Sequence, residues 1–252
     1  MKTVPHLKLT DTLNISYAIL PGDPARVDRV AKHMDYVEEL SYNREFRTIK
    51  GIYKGVPILV TSTGLGGPST AIVAEELAQI GVQYAVRIGS CGALQPNIAL
   101  GDLILVQGAV RDEGTTKAYI DNSYPAIPDY TFLQACEKAA RCFSYPIHIG
   151  MVRSHDSLYT EQKKIADKFY SERHVLGSDM ETAALFVVGG LRGIHTASIL
   201  NCVVTYEDDL KEKISSYVNG ETVTMQGEER EILTALEACF LLEVRHNEIH
   251  ER

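Results

Sequence analysis

The sequence predicts one α/β layered domain built on a largely parallel sheet, spanning residues 1–252. Three observations carry this expectation. Short apolar runs alternate with helical patterns along the whole length. Several of the runs are continuously apolar, as in strands covered on both faces. No linker, repeat or low-complexity tract breaks the chain.

The elements follow in order. The run 15–20 (ISYAIL) reads as a strand, and helical periodicity takes over at 24–34. The run 57–63 (PILVTST) leads into a helix at 68–80. Runs at 85–89 (AVRIG) and 102–106 (DLILV) precede a helix at 131–143, and 147–152 (IHIGMV) precedes one at 160–170. A helix at 179–192 leads to the strand 196–205 (TASILNCVVT). The last helix, 227–244, carries apolar residues at 232, 233, 236, 239, 240 and 243, an amphipathic stripe.

Composition narrows the function classes. Twenty-five basic and 33 acidic side chains give a formal charge of −8, which disfavours non-specific nucleic-acid binding. No apolar run reaches the roughly 18 residues of a membrane span, and MKTVPHLKLTDTLN lacks the apolar stretch of a signal peptide. The five cysteines (Cys91, Cys136, Cys142, Cys202 and Cys239) are odd in number and form no C-x-x-C pair. Zinc and disulfides are therefore not expected, and the expected compartment is the reducing cytoplasm.

Ligands of such sheets gather in loops at the carboxyl ends of strands, and four loops stand out. In Pro21-Gly22-Asp23-Pro24-Ala25-Arg26, Gly22 allows a tight turn and Pro24 suits a first helical turn. The free N–H groups of that helix and Arg26 together suit an anion, although this segment alone reads more readily as a plain turn with a surface arginine. Thr63-Gly64-Leu65-Gly66-Gly67-Pro68-Ser69 lacks both the G-x-G-x-x-G spacing and the P-loop lysine; it reads either as a packing turn or as backbone exposed to a ligand. Arg87 interrupts an apolar strand just before Gly89-Ser90, so it requires a buried anion: a ligand phosphate, or a carboxylate such as Glu75 or Glu76. In Gly177-Ser178-Asp179-Met180-Glu181, either the acids cap a helix, or Glu181 receives the hydroxyls of a sugar with Met180 packed beneath.

Taken together and in this order, PGDPARV, STGLGGPS, RIGSCGAL and SDMETAALF resemble the nucleoside phosphorylases of the purine/uridine phosphorylase superfamily. HLKLT, NREF and YPAIPDY draw the likeness toward the uridine phosphorylase branch. The resemblance implies a single-domain three-layer α/β/α sandwich with a central mixed sheet, a dimer-based homo-oligomer such as a hexamer, and a site shared across the dimer. It implies phosphate binding by Gly22, Arg26, Arg87 and Ser90, with Arg44 lent by a neighbouring subunit. It assigns ribose binding to Met180 and Glu181, with His6 from across the interface, and base binding to Gln162 and Lys164. Glu45, Leu65 and Ser69 match positions that hold a monovalent cation, K+, in some members. No organic cofactor is implied; phosphate is the co-substrate.

The implied reaction is attack of phosphate at C1′ of a nucleoside, uridine first, through an oxocarbenium-like transition state. Arginines give a phosphate dianion charge-assisted, partly bidentate bonds. Holding both substrates together contributes up to about 7–11 kcal/mol in favourable cases. The sequence departs from the uridine phosphorylase pattern at the base. Lys164 stands where an arginine is usual, Asp179 replaces a glutamate, and Tyr206-Glu207-Asp208-Asp209 follows the last strand. Purine phosphorylases carry an acid near that point to protonate N7. The ungapped match puts Tyr206 there, so Asp208 keeps a purine substrate open only after a slip in register, and the acidic run otherwise reads as a solvated loop. A nucleosidase or a non-catalytic nucleoside-binding protein on the same scaffold are the remaining alternatives.

Overall fold

A computed structural model describes residues 3–206 and 222–250, without the side chains of 249 and 250. The strands are β1 (Tyr17–Pro21), β2 (Tyr36–Asn43), β3 (Phe46–Tyr53), β4 (Val56–Thr61), β5 (Tyr84–Ala93), β6 (Leu103–Asp112), β7 (Ile147–His155), β8 (Gly177–Asp179) and β9 (His195–Val204). The helices are α1 (Pro24–Ala31), α2 (Gly67–Gln79), α3 (Thr115–Tyr119), α4 (Tyr130–Cys142), α5 (Lys163–Ser171), α6 (Thr182–Leu191) and α7 (Thr222–His250).

The strands form one sheet in the order β2-β3-β4-β1-β5-β8-β7-β6-β9, and β9 pairs back onto β5. One end of the sheet therefore closes through β5, β8, β7, β6 and β9, while β2, β3 and β4 extend as an open arm. Parallel pairs (β1–β4, β1–β5, β5–β9, β6–β7, β7–β8) sit beside antiparallel ones (β2–β3, β3–β4, β5–β8, β6–β9). The sheet is mixed, and its parallel share is smaller than the sequence suggests. The difference lies in β2, β3 and β8, which the apolar pattern does not announce. β2 (YVEELSYN) is mostly exposed and β8 has only three residues.

Helices cover both faces. Val27, Val30, Phe132, Ile232, Leu236 and Cys239 of α1, α4 and α7 pack on one side around Ile19, Val86 and Ile199. Val73, Leu77, Leu185 and Val188 of α2 and α6 pack on the other around Leu20, Leu59 and Ala85. This is the expected three-layer sandwich. All five cysteines are free, and all but Cys142 are buried. Burial pushes the Cys91, Cys136 and Cys239 thiols above their ordinary range, as fits small apolar packing groups. No helix among the described residues is long and apolar enough to cross a membrane.

Candidate active site

The carboxyl ends of β1, β4, β5 and β9 open on the same side of the sheet, and a cavity of about 1070 Å³ lies there. Gly22, Arg26, Arg87, Ser90, Met180 and Glu181, all expected from the sequence, line it together. These six residues come from three separate loops, so the convergence is a property of the fold rather than of any one motif.

At one end Asp23 caps α1, its side chain accepting from the Ala25 N–H at 2.9 Å, with Pro24 in the first turn. The cap sets the helix so that Arg26, 3% exposed, points across to β5. Its Nη1 donates to the Ile88 carbonyl at 3.1 Å, and its Nη2 donates to Ser90 Oγ at 3.4 Å. Its Nε donates to Glu228 Oε2 at 2.9 Å, and Nη1 lies 3.1 Å from Glu231 Oε1. Arg29, one turn on, also pairs with Glu228.

Arg87, 4% exposed, does not meet Glu75 or Glu76. Glu75 pairs with Arg192, and Glu76 accepts from the His6 and Leu7 N–H groups. The partners of Arg87 are Asp179, with Nε donating to Oδ2 at 3.1 Å, and Glu181, with Nη2 2.6 Å from Oε2. Its Nη1 is buried with no partner. Gly89 makes this conformation possible, because a Cβ there would come within 2.3 Å of Arg87 Nη2 and 2.5 Å of Cζ. An unpartnered guanidinium N–H beside Gly22 and Ser90 is a donor left for an anion.

Glu181 sits between two loops. The Gly66 N–H at the start of α2 donates to its Oε1 at 2.6 Å, while Oε2 faces Arg87. Burial raises its pKa, against the pull of Arg87. Asp179 does not cap α6 alone: it also accepts from Ser154 Oγ at 2.6 Å and Thr182 Oγ1 at 2.6 Å, tying β7 to β8 and α6.

The other end of the cavity is lined by Cys91, Gly92, His155, Leu158, Tyr159, Lys163, Val203 and Val204, mostly apolar walls suited to a flat ring. His155 is 3% exposed and its Nδ1 has no partner; burial, then Arg153 and Lys163, lowers its pKa, so the ring is neutral at pH 7. Gln162 and Lys164 are exposed and do not line the cavity. The face of α5 turned inward instead brings Lys163, bonded to Asp167, which also pairs with Arg153 of β7. Asp208 lies outside the described residues.

His6 and Arg44 also lie outside this cavity, but close to each other: Asn43 Nδ2 donates to the His6 carbonyl at 2.8 Å. Arg44 occupies the exposed β2–β3 turn with a φ of 58°, and the His6 ring is held by Glu76, Nδ1 to Oε1 at 2.6 Å. Glu45 and Leu65 line the cavity, and Ser69 lies just outside it. Ser69 Oγ donates to the Thr63 carbonyl and sits 3.2 Å from Glu45 Oε1. Gly64, at a φ of +72°, is needed for this contact, since a Cβ would come within 2.6 Å of Glu45 Cγ. Leu65 is 83% exposed.

The sequence reading missed His155, Lys163, Glu228 and Glu231. His155 had a signal, a histidine at the carboxyl end of a parallel strand read as ending at 152. The two glutamates had none, because on α7 they read as the polar face of an amphipathic helix.

The Phosphorylase superfamily profile matches residues 16–219. A uridine phosphorylase of Thermococcus kodakarensis is 39% identical over 229 residues, 84% of this chain and 82% of that protein. A guanosine phosphorylase of Halorubrum lacusprofundi is 38% identical over 199 residues, 79% and 82%. The crystal structure of uridine phosphorylase from Vibrio fischeri ES114 superposes with a TM-score of 0.88 at 43% identity, covering 96% of this chain and 98% of that one.

Proposed function

This chain belongs to the phosphorylase superfamily, and from that premise we propose that it cleaves uridine with inorganic phosphate, giving uracil and ribose 1-phosphate. The observation that carries the reading is the pairing of Arg87 with Glu181 inside one cavity. One guanidinium then serves both subsites: Nη1 addresses the phosphate, and Nη2 holds the carboxylate that receives the ribose hydroxyls. The attacking oxygen and C1′ are thereby fixed relative to each other before reaction, which makes the step effectively unimolecular. As the base departs, the sugar gains positive charge and the phosphate dianion beside it stabilises that charge. The base leaves as an anion, and the neutral imidazole of His155 supplies a donor at the apolar end of the cavity.

A nucleosidase would use water and has no need of Arg26 and Arg87 buried beside Gly22 and Ser90. A non-catalytic nucleoside-binding protein has no need of them either. Purine phosphorolysis is the second reading, favoured by the guanosine phosphorylase relative and by the exposed position of Gln162. Base release from uridine, guanosine and inosine, with and without phosphate, tests both. Phosphate-dependent uracil release is the expected result, and equal release without phosphate overturns it.

The site in this reading is shared. Arg44 and His6 stand together outside their own chain's cavity, as residues lent to a neighbouring subunit would, and the exposed Leu65 beside them suits a contact between subunits. Glu45 Oε1 and Ser69 Oγ, 3.2 Å apart, are hard oxygen donors beside the turn that carries Leu65, and they suit a monovalent cation such as K+ at that boundary.

A further inference from the structure

The phosphate end of the cavity carries more negative charge than an anion site needs. Arg26, Arg29 and Arg87 face four carboxylates, Asp179, Glu181, Glu228 and Glu231, each at most 4% exposed. Asp179 and Glu181 are accounted for by the ribose side of the site and by bonds to Ser154, Thr182 and Gly66. Glu228 and Glu231 are not. They come from consecutive turns of α7, Glu228 against Arg26 Nε and Glu231 against Arg26 Nη1. The two carboxylates hold two of the three guanidinium nitrogens, and the third, Nη2, faces Ser90.

Glu231 differs from its neighbour. It is fully buried; Arg26 Nη1 stands 3.1 Å from Oε1 and the Gly89 N–H is directed at the carboxylate, but no side chain gives it a well-formed hydrogen bond. A dianion arriving beside Arg26 would share that guanidinium with the Glu231 carboxylate in a dry site, and protonation of the carboxyl removes the repulsion between the two anions.

Resting on the phosphorolytic reading, we propose that Glu231 is a positioning residue of the phosphate subsite. With Glu228 it aims Arg26, and it holds a proton taken up when the phosphate dianion binds. The groups facing it are Arg26 from α1, Arg87, Cys91 and the Gly89 N–H from β5, and Glu228 on its own helix, which in turn pairs with Arg29. Burial already pushes the Glu231 carboxyl up to about 8, against the pull of Arg26 and with the help of Glu228. Phosphate, by adding negative charge, raises it further. The sign follows: below about pH 8 the proton is already in place, and above it binding must recruit one. Phosphate affinity therefore falls as pH rises.

The test is calorimetric titration of the full chain with inorganic phosphate at pH 7, 8 and 9, in paired buffers of different ionisation enthalpy. At pH 8 and above the ion is already the dianion, so proton uptake reports on the protein. The wild type should take up about half a proton per site at pH 8 and close to one at pH 9, with affinity dropping by up to about tenfold over that unit. Glu231→Gln should take up none at pH 8 and 9 and show a flat affinity between them. Glu228→Gln, by removing a neighbouring charge, should move the uptake to lower pH. Wild-type binding without proton uptake, or unchanged uptake in Glu231→Gln, overturns the proposal; the first result needs no variant to fold. If uridine cleavage still depends on phosphate in that case, the phosphorolytic reading survives alone. Absence of phosphate binding at every pH overturns both.

Discussion

The two ends of the cavity are built in opposite ways. At the phosphate end, every charged group is held by at least one other element: Arg26 by α7 and β5, Arg87 by β8 and the start of α6, and Glu181 by the turn into α2. At the end proposed for the base the polar side chains are His155 at the end of β7, Tyr159 in the loop after it and Lys163 on α5, a helix with no buried residue. The contrast teaches where this chain commits its geometry. In the proposed reading, phosphate and the ribose common to every nucleoside meet this frame, and the variable base meets side chains from β7, the loop after it and α5.

The largest effect should come from breaking the frame at its centre. Arg87→Ala leaves Asp179 and Glu181 buried without their counter-charge, a class of change that costs about 3–5 kcal/mol. Sequence alone suggests that this variant keeps its fold largely intact; the two carboxylates make a lower melting temperature the expected result. Phosphate saturation should disappear in steady-state kinetics, with kcat/KM down by about 10³-fold or more. Arg87→Lys keeps the charge without the fork and separates folding from catalysis: it should melt near the wild type yet remain strongly impaired. A variant with normal phosphate saturation would remove Arg87 from the site.

The next effect concerns whether the frame is complete within one chain. Glu181→Gln and His6→Ala should each be inactive alone. If His6 is lent across an interface, mixed oligomers of the two contain sites with neither lesion, and uracil release should return after mixing and reassembly. Mixed oligomers that form and stay inactive would confine the site to one chain.

A smaller effect is expected in stability. Glu231 has its native pKa raised to about 8 by burial, above an ordinary value near 4.5. Between those values the native state holds a proton that the unfolded chain releases. The stabilisation is therefore full at acid pH and lost as pH rises to about 8. Glu231→Gln removes this slope, so its melting temperature relative to the wild type should climb from pH 5 to pH 8 and then level off. A constant difference across that range would mean that Glu231 is ionised throughout.

Legibility followed the same division. PGDPAR and RIGS could be named because a glycine and an arginine within a few residues of the end of an apolar strand suit an anion, although PGDPAR by itself also reads as a plain turn; both loops lie in the cavity. The carboxylate partners of Arg26 and Arg87 could not be read: they lie 202 and 92 residues away along the chain, and acids on an amphipathic helix look like a solvated face. The β2–β3 hairpin was illegible for a related reason. β2 alternates no apolar face, since its role is to edge the sheet rather than to fill the core. At the base end, Gln162 and Lys164 were named from the resemblance, while periodicity on α5 turns Lys163 inward.

The smallest effects therefore discriminate best at the base end. In the structure Lys164 is exposed, so Lys164→Arg should leave the ratio of uridine to guanosine cleavage within about twofold, as for ordinary surface substitutions. Gln162→Ala should behave likewise. His155 and Lys163 line the cavity, and His155→Ala removes a neutral donor from an apolar enclosure, where an unreplaced hydrogen bond is worth about 1–3 kcal/mol. Its kcat/KM for uridine should fall by roughly 5- to 150-fold, with the phosphate KM unchanged because Arg26 and Arg87 keep their partners. Since burial lowers the imidazole below its ordinary value and leaves it neutral at pH 7, the wild type and His155→Asn should share the same pH profile from 7 to 8. If instead Lys164→Arg shifts the base preference strongly and His155→Ala does not, α5 must turn to bring Gln162 and Lys164 over the bound base. The weakly anchored end would then be the part of the molecule that closes on its substrate.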